Sequence, residues 1–382
     1  MRINTTVFIF IFLWTYSIIC TYIYQNQWFM VTPYFVFIVN ELIYIFFGLD
    51  LFTAESRTEI FYDLAALNTD YYDPNNNKNK YNEGSIEPNY SEGYYPNDDY
   101  SISPKQAEEY KFDKIIELLG AKKGDKILDM GCGMGMFELY CQKRGIEMTG
   151  VSLSSEQVEM VKASDGIQAV RWDFQKFNPD FVNKYDHIIW LGSSEHICYG
   201  PHHMMSSYEK KRDALTKMLE MVKQYFKTDA PKKRIFYSEI HINEKFMYSS
   251  EAYVLDRTYG GQYRLNKEGY DVTSSGLEAG YKVLYTRDAT KDYYLATVLN
   301  KNHFGNPASF ISKTALSLMA LGIIYPFAWY MWYYDVCGLW MWMFDGNLHF
   351  YSDPKFTFKS MEERPVTLWW VILDLQADSG AR

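Results

Sequence analysis

The stretch Lys126–Phe137, KILDMGCGMGMF, constrains this chain more than any other. An apolar run ends on an acid, Asp129, and three glycines then alternate with other residues at 131, 133 and 135. The run reads as a strand and the residues after Gly135 as a helix, so the glycines form the turn between them. Glycine lets a backbone approach a ligand with no Cβ in the way. The helix N-terminus beyond the turn adds free N–H groups. The third glycine comes one residue too early for GxGxxG, and no Lys-Ser/Thr follows as a P-loop requires.

The surroundings fit an α/β domain. Residues 108–119, EEYKFDKIIELL, carry apolar positions at helical spacing. Apolar runs follow at 126–130, 147–151, 167–171, 185–191 and 234–240, most of them separated by helical stretches. Two more runs, YKVLYT (281–286) and YYLATVL (293–299), suggest an antiparallel hairpin. The pattern predicts a Rossmann-like, seven-stranded doubly wound sheet closed by that hairpin.

The ends of the chain are different. Val7–Tyr24 is 18 residues without a charge, and as a helix it spans roughly 27 Å, close to a hydrocarbon core. No small-x-small site follows it, so it reads as an anchor rather than a cleaved signal. Trp28–Gly48 is apolar but interrupted by Asn40 and Glu41. It is a second span whose Glu41 has a partner, or a helix lying in the interface. Thr314–Tyr334 is again 21 uncharged residues, bracketed by Lys313 and Asp335. GLWMWMF (338–344) and LWWVIL (368–373) are too short to cross and read as interfacial anchors or core segments. Residues 68–104 are rich in Asn, Tyr, Asp, Pro and Gly and read as loop.

The expected organisation is an anchor of one or two helices (1–49), a loop-rich lid (50–104), a catalytic domain (105–307), a hydrophobic membrane segment (308–344) and a tail (345–382). A net charge of −9 with no long basic stripe argues against a nucleic-acid partner. Five cysteines without a CxxC, and no His/Cys cluster at zinc spacing, give neither a disulfide framework nor a metal site.

LDMGCGMG, a strand, an acid and GxGxG, has the form seen in methyltransferases that bind S-adenosylmethionine. From Tyr72 to Leu299 the chain resembles the cyclopropane-fatty-acid synthase and mycolic acid methyltransferase family in several ordered blocks. YYDPNNN and NYSEGYY are similar to the family's HYDxGN and YSCGYW. AEEYK (107–111), LDMGCGMG, GVSLSSEQ (150–157), RWDF, LGSSEHICYG (191–200) and YYLAT (293–297) follow in the family's order. The layout, with apolar spans before the domain, is similar to that of fungal sphingolipid methyltransferases.

That resemblance implies a class I methyltransferase fold, S-adenosylmethionine as cofactor, and roles for particular residues. Tyr90 and Ser91 would close over the methionine part. Gly131, Gly133 and Gly135 would cradle it, and Asp129 would orient the turn. Ser152 and Leu153 stand where many methyltransferases place a ribose-gripping acid, and Gln157 would take that contact. Trp172 and Asp173 would hold the adenine. Glu195 would face the cation left by methyl transfer to a double bond, and with Tyr294 it would hold a bicarbonate base. Two positions depart from the family: its cysteine is Glu92 here and its histidine is Ser238, with Glu239 and His241 close by. Bicarbonate is therefore in question, and Glu92 is a direct alternative as base.

The expected function is a membrane-bound methyltransferase acting on a lipid acyl or long-chain-base double bond, by C-methylation or cyclopropanation. An enzyme acting on an amine head group or small molecule, and a non-catalytic membrane protein of the same fold, are the alternatives. The cofactor is cytosolic, so the catalytic domain should face the cytosol, in mild agreement with Arg2, Arg57 and Lys313 near the spans.

Overall fold

The computed structural model describes residues 5–67, 72–73, 78–79, 91–99, 101–163, 166–197, 208–243, 253–254, 256–257, 264–266, 273–293, 313–330, 332 and 366–375. Most of the tyrosine-rich stretch 68–104, and the YYLATVL run beyond Tyr293, lie outside them.

The five apolar runs form β1 (Lys126–Met130), β2 (Glu147–Ser152), β3 (Gln168–Arg171), β4 (His187–Leu191) and β5 (Arg234–Asn243), all parallel. The antiparallel end of the sheet is β6 (Lys282–Asp288) and β7 (Val366–Asp374), in the order β3-β2-β1-β4-β5-β7-β6. Arg264–Asn266 adds a short strand beside β5. The expected seven-strand sheet is present. Among the described residues, the partner of 282–288 is the LWWVIL run near the C-terminus, inserted between β5 and β6, and the expected partner 293–299 lies outside them beyond Tyr293. Lys291–Tyr293 instead continue a helical turn. The catalytic domain is therefore not a continuous 105–307 segment, because β7 comes from the expected tail. This strand is buried on both faces, and such a strand is a continuous apolar run, which is why it reads like an anchor.

Alternate residues of the strands feed two cores. Ile127, Ile189, Phe236, Ile240, Leu368 and Trp370 pack on one face with Phe112, Ile115 and Leu119 of α4 (Pro104–Leu119). Leu128, Met130, Trp190, Ile235, Tyr237 and Val371 pack on the other with Leu215, Met218 and Leu219 of α7 (Tyr208–Val222). Ser103 caps α4, accepting from the Gln106 N–H, and Gly120 ends the helix at φ 69°. Between these lie α5 (Met136–Gln142) and α6 (Ser155–Lys162), and α8 (Ser274–Glu278) follows.

α1 (Thr5–Tyr24) and α2 (Thr32–Phe47) form a helical hairpin, and α3 (Ala54–Leu67) leads from it to the domain. Both stretches, Thr5–Tyr24 and Gln27–Phe47, are long and apolar enough to cross a membrane. The expected 21-residue helix from Thr314 is shorter: α9 (Lys313–Ile324) stops before Pro326, whose missing N–H ends the ladder. The hairpin caps this end, since Trp14 donates to the Ile324 carbonyl at 2.9 Å and Tyr34 to that of Ile323 at 2.8 Å. Glu41 has a partner in Arg257.

Candidate active site

The open ends of β1, β2 and β4 surround one cavity, closed by α3, the Ser91–Glu92 segment and β7. Its floor is the glycine turn. Gly131 has φ 127°, and a Cβ there would come within 2.4 Å of the Ser193 Cβ. At Gly133, φ 52°, a Cβ would meet nothing within 4 Å. One glycine is needed for close packing against the β4 loop, and the other leaves room for a ligand. Gly135 is the N-cap of α5 and packs on Val161 rather than into the cavity.

Beside the turn, Asp129 and Glu138 are buried together. Burial pushes the Asp129 carboxyl up to about 7, while the neighbouring Glu138 carboxyl pulls the other way. Burial, and then the charge of Asp129, push Glu138 well above the carboxylate range. The cofactor wall continues at the end of β2. Ser152 Oγ donates to Gln157 Oε1 at 2.7 Å and fixes that amide at the cavity edge. Leu153 lines the wall next to it.

The β4 loop carries Glu195 on a single 3-10 turn, Ser194–His196. Side-chain bonds stitch it down: Gly192 N–H donates to Ser238 Oγ at 2.8 Å, Ser193 Oγ to the Met130 carbonyl at 2.5 Å, and Ser194 Oγ lies 3.2 Å from both the Ser238 carbonyl and Glu239 Oε2. Glu195 is 2% exposed. Glu239 and His241 form a buried pair at 2.7 Å and do not line the cavity.

Glu92 sits across the same cavity and is 1% exposed. The Trp370 indole N–H donates to its Oε1, while Oε2 has no hydrogen-bond partner among the described residues. Lys111, fully buried, donates to Ser91 Oγ at 2.6 Å and supplies the positive charge that acts on Glu92. Burial lowers the Lys111 pKa, and Glu92 and Glu108 pull it back up.

The cavity thus brings together Ser91, Glu92, Asp129, Gly131, Gly133, Ser152, Leu153, Gln157 and Glu195. Trp172 and Asp173 stay outside its wall. The Trp172 indole donates to the Lys176 carbonyl at 3.0 Å. The Asp173 carboxylate takes the Gln175 N–H at 3.1 Å and pairs with Lys176 at 3.0 Å. Phe174 lines the wall in their place. Tyr90 and Tyr294 lie outside the described residues, but Tyr293, one position earlier, reaches the cavity. Sequence reasoning also missed Thr58, Phe61 and Tyr62 of α3.

Comparison with known proteins agrees with this geometry. Residues 70–257 match the family model for mycolic acid cyclopropane synthetase. A probable fatty acid methyltransferase of Mycobacterium tuberculosis is 32% identical over 136 residues, 33% of this chain and 30% of that protein. Pavine N-methyltransferase of Thalictrum flavum is 29% identical over 178 residues, 44% of each. The chain spans less than half the length of these curated relatives. The cyclopropane synthase MmaA2 from Mycobacterium tuberculosis superposes with a TM-score of 0.55 at 14% identity, covering 85% of this chain and all of that one. A mycolic acid cyclopropane synthase complexed with SAH and CTAB gives 0.52 at 15% identity, covering 84% and 98%. The sheet order and the glycine turn have the same explanation as these matches: the segment 70–257, just under half of the chain, is of the mycolic acid cyclopropane synthetase family.

Proposed function

We propose that this protein transfers a methyl group from S-adenosylmethionine to a double bond in a lipid acyl or long-chain-base chain, by C-methylation or cyclopropanation. The observation that carries the reading is the pair of buried carboxylates, Glu195 and Glu92, in the wall of the glycine-turn cavity. The cofactor supplies an electrophilic methyl group; Gly131, Gly133, Asp129, Ser91 and Gln157 would hold it. Adding a methyl to a carbon–carbon double bond leaves positive charge on the neighbouring carbon. Glu195 stabilises that charge from a fixed position, without reorganisation cost. The free oxygen of Glu92 accepts the proton lost as the new bond closes, while Trp370 and Lys111 keep its carboxyl in place. Tyr294 is proposed to act near the same group, as Tyr293 lines the cavity.

Bicarbonate does not fit this cavity. Glu92 puts a carboxyl group where the family has a cysteine, so a second anion there would meet like charge. Ser238, in the place of the histidine, is already bonded to the Gly192 N–H.

The apolar surface supports the proposed substrate class. Phe8, Phe12, Ile19, Ile23, Phe35 and Phe46 on α1 and α2 are each at least half exposed. An exposed apolar surface of this extent is expected to be covered by a partner or a membrane. Here a bilayer is the proposed cover, with the catalytic domain on the cytosolic side. A lipid could then enter the cavity past α3. The alternative, methyl transfer to an amine, is favoured by one observation: a relative that is an N-methyltransferase.

Protein in detergent, membrane lipids and trideuteromethyl S-adenosylmethionine separate these readings by mass spectrometry. An acyl product retaining three deuteriums is C-methylation, and one retaining two is ring closure or a methylene. Label on a head-group nitrogen would replace this reading with the alternative.

A further inference from the structure

α3 lies before the family match, yet it supplies part of the cavity wall through Thr58, Phe61 and Tyr62. Several ties hold it, including Glu59, which accepts from Arg171. Near its start, Arg57 donates to Asp50 Oδ2 at 2.6 Å and to the Arg257 carbonyl at 2.8 Å. Arg257 in turn forks onto the Glu41 carboxylate of α2 and reaches Asp50 at 2.9 Å. Tyr253 and Tyr330 add their hydroxyls to Glu41 Oε2 at 2.5 and 2.9 Å. Arg57 and Arg257 are 3% and 1% exposed. A buried, bidentate charge cluster of this kind has few alternative arrangements.

Further along, Asp63 Oδ1 accepts from Ser154 Oγ at 2.6 Å and from the Glu156 N–H at 3.3 Å. Ser154 caps the helix that carries Gln157. Between these ties, the Tyr62 hydroxyl is 2.7 Å from His196 Nε2, with the two rings edge to face at 5.7 Å. His196 directly follows Glu195 on the same short turn. A three-residue turn has little internal rigidity of its own, so its position depends on such outside contacts.

We propose that Tyr62 is a positioning residue for Glu195: α3, seated on the hairpin by the Arg57–Asp50–Arg257–Glu41 cluster, holds the catalytic turn in register through His196. The proposal rests on the reading that Glu195 acts on the substrate. Misplacing a reacting group by about 1 Å can cost roughly a hundredfold in rate, so losing one tether should be felt in turnover. Asp63 tethers the opposite side of α3, near the cofactor wall. The two residues therefore predict opposite kinetic signatures.

The test compares Tyr62→Phe and Asp63→Asn in the full-length protein, with cofactor binding measured separately by titration of S-adenosylhomocysteine. Tyr62→Phe keeps the ring and the cavity wall. It should lower kcat about tenfold, the worth of roughly one hydrogen bond, with KM for the cofactor unchanged. Asp63→Asn should raise cofactor KM and leave kcat nearer to wild type. Wild-type kcat in Tyr62→Phe, or the same parameter moved in both variants, overturns the proposal. Wild-type protein that binds S-adenosylhomocysteine but methylates no acceptor removes the functional reading, and this proposal with it.

Discussion

The two sides of the cavity differ in origin. The glycine-turn side is built from one short contiguous span, β1 to α6, and it carries the family blocks nearly intact. The other side is assembled from distant pieces: α3 before the family match, Glu92, Tyr293 and the C-terminal strand β7. The first side keeps a cofactor cradle whose geometry is set by backbone. The second holds Glu92, the proposed proton acceptor, and the proposed entry of substrate, and Glu92 is where the chain departs from the family pattern; Glu195 stands apart on the β4 loop. Reuse of a cradle with a changed opposite wall is how one fold takes different acceptors.

Removing residues 366–375 should break this comparison most severely. β7 fills the gap between β5 and β6 and contributes Leu368, Trp370, Val371 and Ile372 to both cores. The truncated protein is expected not to fold, as read by loss of near-ultraviolet circular dichroism. If 366–375 were only a tail, it would fold normally.

Gly131→Ala attacks the cradle alone. The left-handed backbone and the contact with Ser193 both oppose a Cβ, at a cost of about 1–3 kcal/mol. Cofactor affinity should fall tenfold or more in titration, with the sheet still folded.

Glu138→Gln tests the buried acid pair. Raised pKa values mean that the folded state binds more protons than the unfolded one. Stability from this pair is fully present below about pH 4 and is lost as pH rises towards about 7, where Asp129 titrates. The variant should flatten that part of the stability–pH curve in chemical denaturation.

The smallest effect is expected at Trp172→Ala. Its indole bonds to the Lys176 carbonyl outside the cavity wall, so cofactor affinity should change less than about threefold, within one lost hydrogen bond.

These expectations follow what could and could not be read from the residues. β1–β5 were legible because buried parallel strands are short apolar runs separated by helical periodicity. The position of β7 was not, because LWWVIL carries the same apolar signal as a membrane anchor and its partners on β5 and β6 are distant in sequence, as with Trp370↔Ser238 and Trp370↔Arg287. α3 was hidden by the loop-like composition that begins directly after it. That Tyr293 reaches the cavity depends on the helical turn that carries it, which composition does not report. Asp173 was assigned to the adenine by its family block alone, and its carboxylate takes the Gln175 N–H instead. Glu92 was singled out for its departure from the family, but its Trp370 partner depended on a strand pairing that no local pattern encodes.

The central claim is that the glycine turn binds the cofactor while Glu195, on the β4 loop beside it, serves the chemistry. The most direct measurement is cofactor affinity against turnover in Glu195→Gln. Titration with S-adenosylhomocysteine should give wild-type affinity, while trideuteromethyl transfer to lipid falls roughly a hundred- to a thousandfold. Affinity lost in parallel with turnover, or turnover left intact, would contradict the account.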